Sequence, residues 1–461
     1  MWGTLNNEAK RLGEEQARVR RWARAGAGKA SGNAALPAAG AGASGNAALP
    51  AAGAGASGAG LPAAGAWALV ILTALNFVNY IDRSVLFAVQ PLVQREFPGS
   101  DARFGLLTTA FFICYMVTAP VVGWLADRYP RRLIMCAGAL LWSAATLLTA
   151  VTHTFAELMV RHTLVGVGEA TFVAIAPSFL ADLHPEYRRG RVLSVFYMAI
   201  PVGTALGYLV GGAVAARWGW RAPFLVGAAP GVVLGLLLLM VPEPKRGAED
   251  RLAVTLERGT FAGLWRNPAF WTATLGMALM TFAVGGMQVW MPTFLSRIRS
   301  VPLATANLRF GLLTLAAGIL ATMLGGWLGD RMEARKRGGH CLISAIGMSL
   351  ALPSVLLAVF HAGEWMYPAI FLGEFFLLLN TAPLNAAILN SVSAPIRSTA
   401  FAVNIFTIHL LGDAFSPSLM GFISDRSNMQ VAFVAASAAI AISAGVLFLG
   451  VRYAPQLPQG D

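Results

Sequence analysis

Asp82, Arg83 and Glu169 are the residues of this chain whose types and positions most invite chemistry, because each is ionisable and sits inside a long apolar run. A charge at membrane depth costs about 3 kcal/mol, so such residues turn toward a protein interior or a wet cavity. At about 100° per residue, Asn76, Asn79, Tyr80 and Arg83 share one helix face, with Asp82 at its edge. Glu169 follows His162 by seven residues, an angle of only about 20° on a helix, and Arg161 could reach toward Glu169 from the neighbouring face. Burial and a nearby cation act in opposite directions on a carboxyl proton, and a histidine titrates near neutral pH. Asp82, Glu169 and His162 are therefore the candidate proton carriers. The planar fork of Arg83 suits a phosphate or carboxylate, so it is the candidate ligand anchor, with Tyr80, Asn76 and Arg161 around it. The bland alternative is a static buried ion network.

Later stretches carry similar stripes. Glu374, Thr381 and Asn385 share one face, as do Thr274, Thr281, Gly285 and Gln288, and again His409, Asp413 and Ser416. Glu374, Asn385, Gln288, His409 and Asp413 join the candidate ligand-contacting residues. Hydrogen bonds between packed helices explain hydroxyl and amide stripes equally well. Gly203, Gly207 and Gly211 have the small-xxx-small spacing of close helix packing.

The elements that must hold these groups are membrane helices. The chain has 461 residues, 56% hydrophobic and 12% charged. Twelve apolar spans are long enough to cross a bilayer, at about 66–93, 104–126, 133–152, 155–182, 192–216, 222–241, 268–296, 307–329, 340–361, 365–390, 398–424 and 429–452. The expected fold is an all-α membrane protein with two pseudo-symmetric six-helix bundles, 66–241 and 268–453. A charged linker (242–267) joins them, and tails flank them at 1–65 and 454–461. The first tail repeats ASGNAALPAAGAG twice from Ala30 and then degrades; such composition reads as disorder, and no apolar run before Trp67 resembles a signal peptide.

The net charge of +12 lies mostly in short gaps between spans, without a basic face interleaved with aromatics, so nucleic acid is not an expected partner. With the N-terminus inside, inner loops hold sixteen basic residues and outer loops eight, favouring a cytoplasmic N-terminus. Cys114, Cys136 and Cys341 lack metal-ligand spacing. No nucleophile–base pattern or phosphate-cradling loop points to an enzyme, and no cofactor is called for.

The halves echo each other: Gly123-Trp-Leu-Ala-Asp127-Arg128 and Gly326-Trp-Leu-Gly-Asp330-Arg331 each follow the second span of a half. A duplicated six-span unit implies a transporter with its site between the halves, near the midplane. The repeated motif resembles the loop signature of the major facilitator superfamily, G-x-x-x-D-R-x-G-R-[KR]. Gly123, Asp127, Arg128, Arg131 and Arg132 match, while Pro130 replaces the second glycine; the second copy keeps Gly326, Asp330 and Arg331. The resemblance implies that these residues brace a cytoplasmic gate; the alternative is a merely topogenic basic loop.

A narrower likeness rests on NYIDR (79–83), LVGVGEA (164–170), IAPSFLADL (175–183), LSVFYMAIPVGTALGY (193–208) and HLLGDAFSPSLMGFISD (409–425), which are similar to Spinster-type lipid transporters. In those relatives arginine usually stands where this chain has His162. The resemblance implies proton-linked alternating access for an amphipathic anionic lipid such as a lysophospholipid or sphingolipid. It also implies similar roles for the Asp82–Arg83 pair and Glu169, a monomer, and a place in the inner membrane. The alternatives are an organic-anion symporter, a drug efflux pump or, from another class, a receptor or scaffold without transport.

Overall fold

Lipid offers no hydrogen bonds to a backbone, so apolar stretches of this length satisfy their own amides as helices. The computed structural model describes residues 61–184, 186–245, 261–392 and 397–455, and all regular structure among them is helical. The twice-repeated tail unit and much of the linker lie outside these residues.

The N-terminal bundle comprises α1 (Leu61–Glu96), α2 (Asp101–Ala126), α3 (Arg131–Thr149), α4 (Phe155–Val173) with its continuation α5 (Ala176–Asp182), α6 (Glu186–Trp218) and α7 (Ala222–Leu237). A short α8 (Phe261–Trp265) precedes the C-terminal bundle. That bundle comprises α9 (Pro268–Arg297), α10 (Leu303–Glu333), α11 (Gly339–Phe360), α12 (Met366–Leu378), α13 (Thr381–Asn390), α14 (Arg397–Ile408), α15 (Ser416–Arg426) and α16 (Met429–Tyr453). Side-chain oxygens close several starts: Ser100, Thr154, Asn267 and Asn428 each accept the amide three residues on.

Eleven of the expected crossings are helices long and apolar enough to span a membrane. The remaining one, expected at 398–424, is divided. Between α14 and α15 lies a π-type turn, His409–Asp413, in which Gly412 leaves helical geometry (φ −102°, ψ −107°). The first helix also differs from expectation: it begins at Leu61, so the degraded third repeat copy starts the helix rather than ending the tail. Its alanines are the best helix formers available.

Small residues bring α6 onto α1. A Cβ added at Gly207 would meet the Ile81 carbonyl oxygen at 2.6 Å, and one at Gly203 the Phe77 carbonyl oxygen at 2.8 Å. The bundles meet through α6 on α10 and α2 on α15. These contacts include a latch. Asp101, at the start of α2, takes bonds from Arg297 (2.7 Å) and Ser424 (2.6 Å), while Asp425 accepts the amides of Asp101 and Ala102 at 2.6 and 2.9 Å. A carboxylate at a helix N-terminus meets unpaired amides and the positive end of the dipole, so Asp425 caps α2 from the other bundle.

Candidate transport site

The guanidinium of Arg83 sits where α1, α2 and α4 face the C-terminal bundle. Its Nε donates to Glu169 Oε2 at 2.5 Å, and the Glu169 side chain is fully buried. Four rings surround its centre: Tyr80 at 5.1 Å, Phe111 at 5.0 Å, Phe112 at 5.9 Å and Tyr115 at 5.3 Å. A cation inside such a box gains from each ring face, and the box excludes the water that would weaken its ion pair. His162 is buried and stacks on Phe111 at 5.2 Å, so it touches the pair through a ring rather than by bonding Glu169.

Two expected ligand contacts are otherwise engaged. Arg161 does not reach Glu169. It donates to the Leu148 carbonyl (2.5 Å) and Thr152 Oγ1 (2.7 Å) and pairs with Glu157 at 3.3 Å. Its place in the second turn of α4 sets it beside the last carbonyls of α3, where a cation is favoured. Asn76 donates to the Phe196 carbonyl at 2.9 Å and fastens α1 to α6. Asp82 also departs from its neighbour. It is buried against α7, where a Cβ on Gly227 would lie 2.6 Å from Oδ1, so it points away from the aromatic box.

The C-terminal bundle faces the box with the π-turn. His409 Nδ1 lies 3.0 Å from Asp413 Oδ1, and the His409 ring stacks on Phe112 (5.4 Å) and meets Tyr115 edge-on (5.8 Å). The broken turn thus carries a histidine–carboxylate pair across the bundle interface. Deeper in the C-terminal bundle lies an apolar, partly open pocket walled by α9, α10, α11, α12 and α16. Met287, Met291, Phe294, Phe310 and Val355 line it, and Glu374 and Gln288 supply its polar groups. Thr314 Oγ1 donates to the Glu374 carboxylate at 3.0 Å. Asn385 donates to the Thr381 carbonyl in its own helix and is not brought to this cavity.

The signature residues divide. Buried Arg131 binds Asp182 at 2.7 Å, Glu243 at 3.2 Å and the Pro244 carbonyl at 3.2 Å, a brace that ties the start of α3 to α5 and to the start of the linker. Asp127, Arg128, Asp330 and Arg331 are exposed. A Cβ on Gly123 would meet nothing within 4 Å, and one on Gly326 only Ala382 at 3.7 Å. At the latched end, by contrast, a Cβ on Gly421 would strike the Asp101 carbonyl carbon at 2.5 Å.

The aromatic box and the latch were not singled out from the sequence. Phe111, Phe112 and Tyr115 share a stripe of α2, and Gly421-Phe-Ile-Ser-Asp425-Arg426 is a third copy of the G-x-x-x-D-R pattern.

Residues 72–412 match the sequence profile of the Major Facilitator Superfamily. Human protein spinster homolog 1 is 38% identical over 391 residues, covering 79% of this chain and 74% of that protein. The Xenopus laevis protein spinster homolog 1 is 37% identical over 382 residues, covering 78% and 72%. The chain belongs to the Spinster family of the major facilitator superfamily. A crystal structure of a bacterial homolog to the human lysosomal transporter Spinster, inward-facing and unoccupied, superimposes with a TM-score of 0.78 at 22% identity, covering 86% of this chain and 99% of that one. This Spinster-type chain is a multi-pass membrane transporter and not an enzyme.

Proposed function

We propose that this transporter moves an amphipathic anionic lipid, of the lysophospholipid or sphingolipid kind, by proton-linked alternating access. The Arg83–Glu169 pair carries the reading. An anionic head group competes with Glu169 for the Arg83 fork, and protonation of Glu169 releases Arg83 to that head group. Proton binding and substrate binding then favour the same state, which is the requirement for coupling. Asp82 and His162 are the other proton-linked groups, and the His409–Asp413 pair faces the bound head group from the second bundle. The apolar cavity beside Glu374 suits an acyl tail.

Alternating access is supported by the contrast between a latched end and exposed signature loops. With the N-terminus cytoplasmic, as the loop charges favour, this state opens to the cytoplasm, and Asp101–Arg297 must part for the opposite state to form. The bacterial homolog is described in the same inward-facing posture. The protein acts as a monomer in the inner membrane, with protons and lipid as its partners.

Uptake into proteoliposomes of a labelled lysophospholipid beside a labelled sugar acid, with and without an imposed pH gradient, tests this function. Lipid movement that grows with the gradient is the expected result. Movement of the sugar acid alone would keep the fold and replace the substrate.

A further inference from the structure

Asp82 and Arg83 are sequence neighbours on α1, yet they serve different surroundings. Arg83 faces the aromatic box, whereas Asp82 is 5% exposed and lies against the glycine face of α7, with neither carboxyl oxygen hydrogen-bonded to protein. One turn along that face, Gly231 does the same for α3. A Cβ there would come within 2.2 Å of Ser143 Oγ and 3.4 Å of Trp142 Nε1. Both residues are fully buried, and both polar atoms lack a protein partner. Beyond them Gly235 meets only Ala139 and Leu140, which close the seam with apolar atoms.

The seam therefore collects two acceptors on Asp82 and two donors, a hydroxyl and an indole N–H, along adjacent turns of one helix face. Adjacent turns of a helix face set Cβ positions about 5–6 Å apart, so polar atoms held against neighbouring positions of that face are within the reach of ordered water. Unpaired polar groups in a closed interior cost free energy, and ordered water is their usual partner. We propose that Asp82, Ser143 and Trp142 form a closed hydrated site between α1, α3 and α7, in which the hydroxyl and indole hold the Asp82 carboxylate, through water, once its proton has left. Ser143 and Trp142 are thus positioning residues for a proton carrier. Asp82 changes its charge state inside the N-terminal bundle, out of contact with the lipid bound at Arg83.

The site also needs its electrostatic surroundings. Among the described residues, Glu169 on α4 is the charged group that acts on Asp82, with Arg83 its neighbour in sequence; α6 carries Tyr197 and Tyr208 in its span, and α3 carries Cys136 and, at its start, Arg131 and Arg132. Helix α7 carries no titratable residue, and α5 and α9 bring only Asp182 and Arg297, at their ends. The cations of α3 sit at its start, where Arg131 pairs with Asp182 and Glu243, so among the described residues the groups that α3 and α7 bring to the seam are neutral donors.

This inference rests on Asp82 carrying a proton, and infrared titration of the full-length protein in liposomes separates the two claims. The carboxylic-acid C=O band that Asp82→Asn removes reports the protonation of Asp82. Losing one hydrogen bond to a charged group moves a titration by about one pH unit. Ser143→Ala, which nearly preserves shape, and Trp142→Phe, which keeps an aromatic ring there without the N–H, should each raise the midpoint of that band by this amount, and the pH profile of transport should follow. Serine-to-threonine exchange at 143 keeps the hydroxyl and should leave the midpoint near the wild-type value if the protein accepts the extra methyl. A band that titrates identically in Ser143→Ala, Trp142→Phe and the wild type overturns the hydrated site while leaving Asp82 a proton carrier. No band lost on Asp82→Asn at any pH overturns both.

Discussion

The two bundles line the same central region with opposite chemistry. The N-terminal wall concentrates charge: Arg83 and Glu169 bond at 2.5 Å inside four aromatic rings. The C-terminal wall is chiefly apolar: apart from the His409–Asp413 pair that faces the box, its pocket holds one carboxylate, Glu374, bonded to a threonine rather than a cation. A small polar solute would need donors and acceptors on both sides, which the apolar wall does not offer. An amphipathic molecule finds a place for each end. Under the proposed function the difference between the bundles separates two jobs: the charged wall would set proton linkage and head-group affinity, and the apolar wall tail preference.

The largest expected effect comes from breaking the charged wall. Arg83→Ala leaves Glu169 buried and unpaired, which costs about 3–5 kcal/mol and removes the anion anchor as well. Transport should fall by about 100-fold or more, and Tm should drop. Replacing both members, Arg83→Leu with Glu169→Leu, should recover most of the Tm without recovering transport, because an apolar pair of similar volume carries no desolvation penalty. Thermal scans beside uptake assays read the two outcomes apart. If the double variant transports lipid with wild-type pH dependence, the pair has no part in coupling.

His162→Arg sharpens the same wall. A second cation stacked near Phe111 would compete with Arg83 for Glu169, and its charge would oppose that of Arg83. The pH optimum of transport should move by about one unit, since one nearby charge commonly shifts a carboxyl by that much. An unchanged profile would make His162 a packing residue.

On the apolar wall, Glu374→Gln keeps a hydrogen-bonding partner for Thr314 but removes the charge. The pH dependence should stay with the N-terminal wall. Loss of pH dependence in Glu374→Gln would erase the division between the bundles.

Much of this arrangement was legible before any coordinates, and the rest was hidden for identifiable reasons. Apolar runs announce helices because bilayer thickness fixes their length, and buried ions announce a site because charge at that depth is costly. Periodicity could place Glu169 and Arg83 on inward faces. It could not say which cation Glu169 meets, because partners 86 residues apart depend on how helices rotate against each other. Arg161 was misjudged on that account: proximity along the helix suggested Glu169, while the α3 carbonyls lay closer. The break at Gly412 was concealed by the apolar residues around it, although Gly412 and Pro417 mark weak points for a helix. The latch is hidden because Arg297 and Asp425, which tie the C-terminal bundle to the start of α2, lie 196 and 324 residues from Asp101.

The smallest effect tests whether the C-terminal cavity holds a tail at all. Ala358 is buried on its wall in α11, and leucine there would extend about three carbon atoms into the space. Overfilling a packed interior costs about 1–3 kcal/mol, a modest part of what holds a helix bundle together. The protein should therefore fold and transport, with its pH profile intact, because no charged group has moved. What changes is the ranking of substrates. Each methylene that loses its apolar contacts forfeits about 0.8 kcal/mol, or roughly fourfold in affinity. Ala358→Leu should shift preference toward acyl chains about two or three carbons shorter, measured by competition among lysophospholipids of graded length. An unchanged ranking would take the tail out of this cavity and leave it to the bilayer, where chain length would no longer be read by the protein.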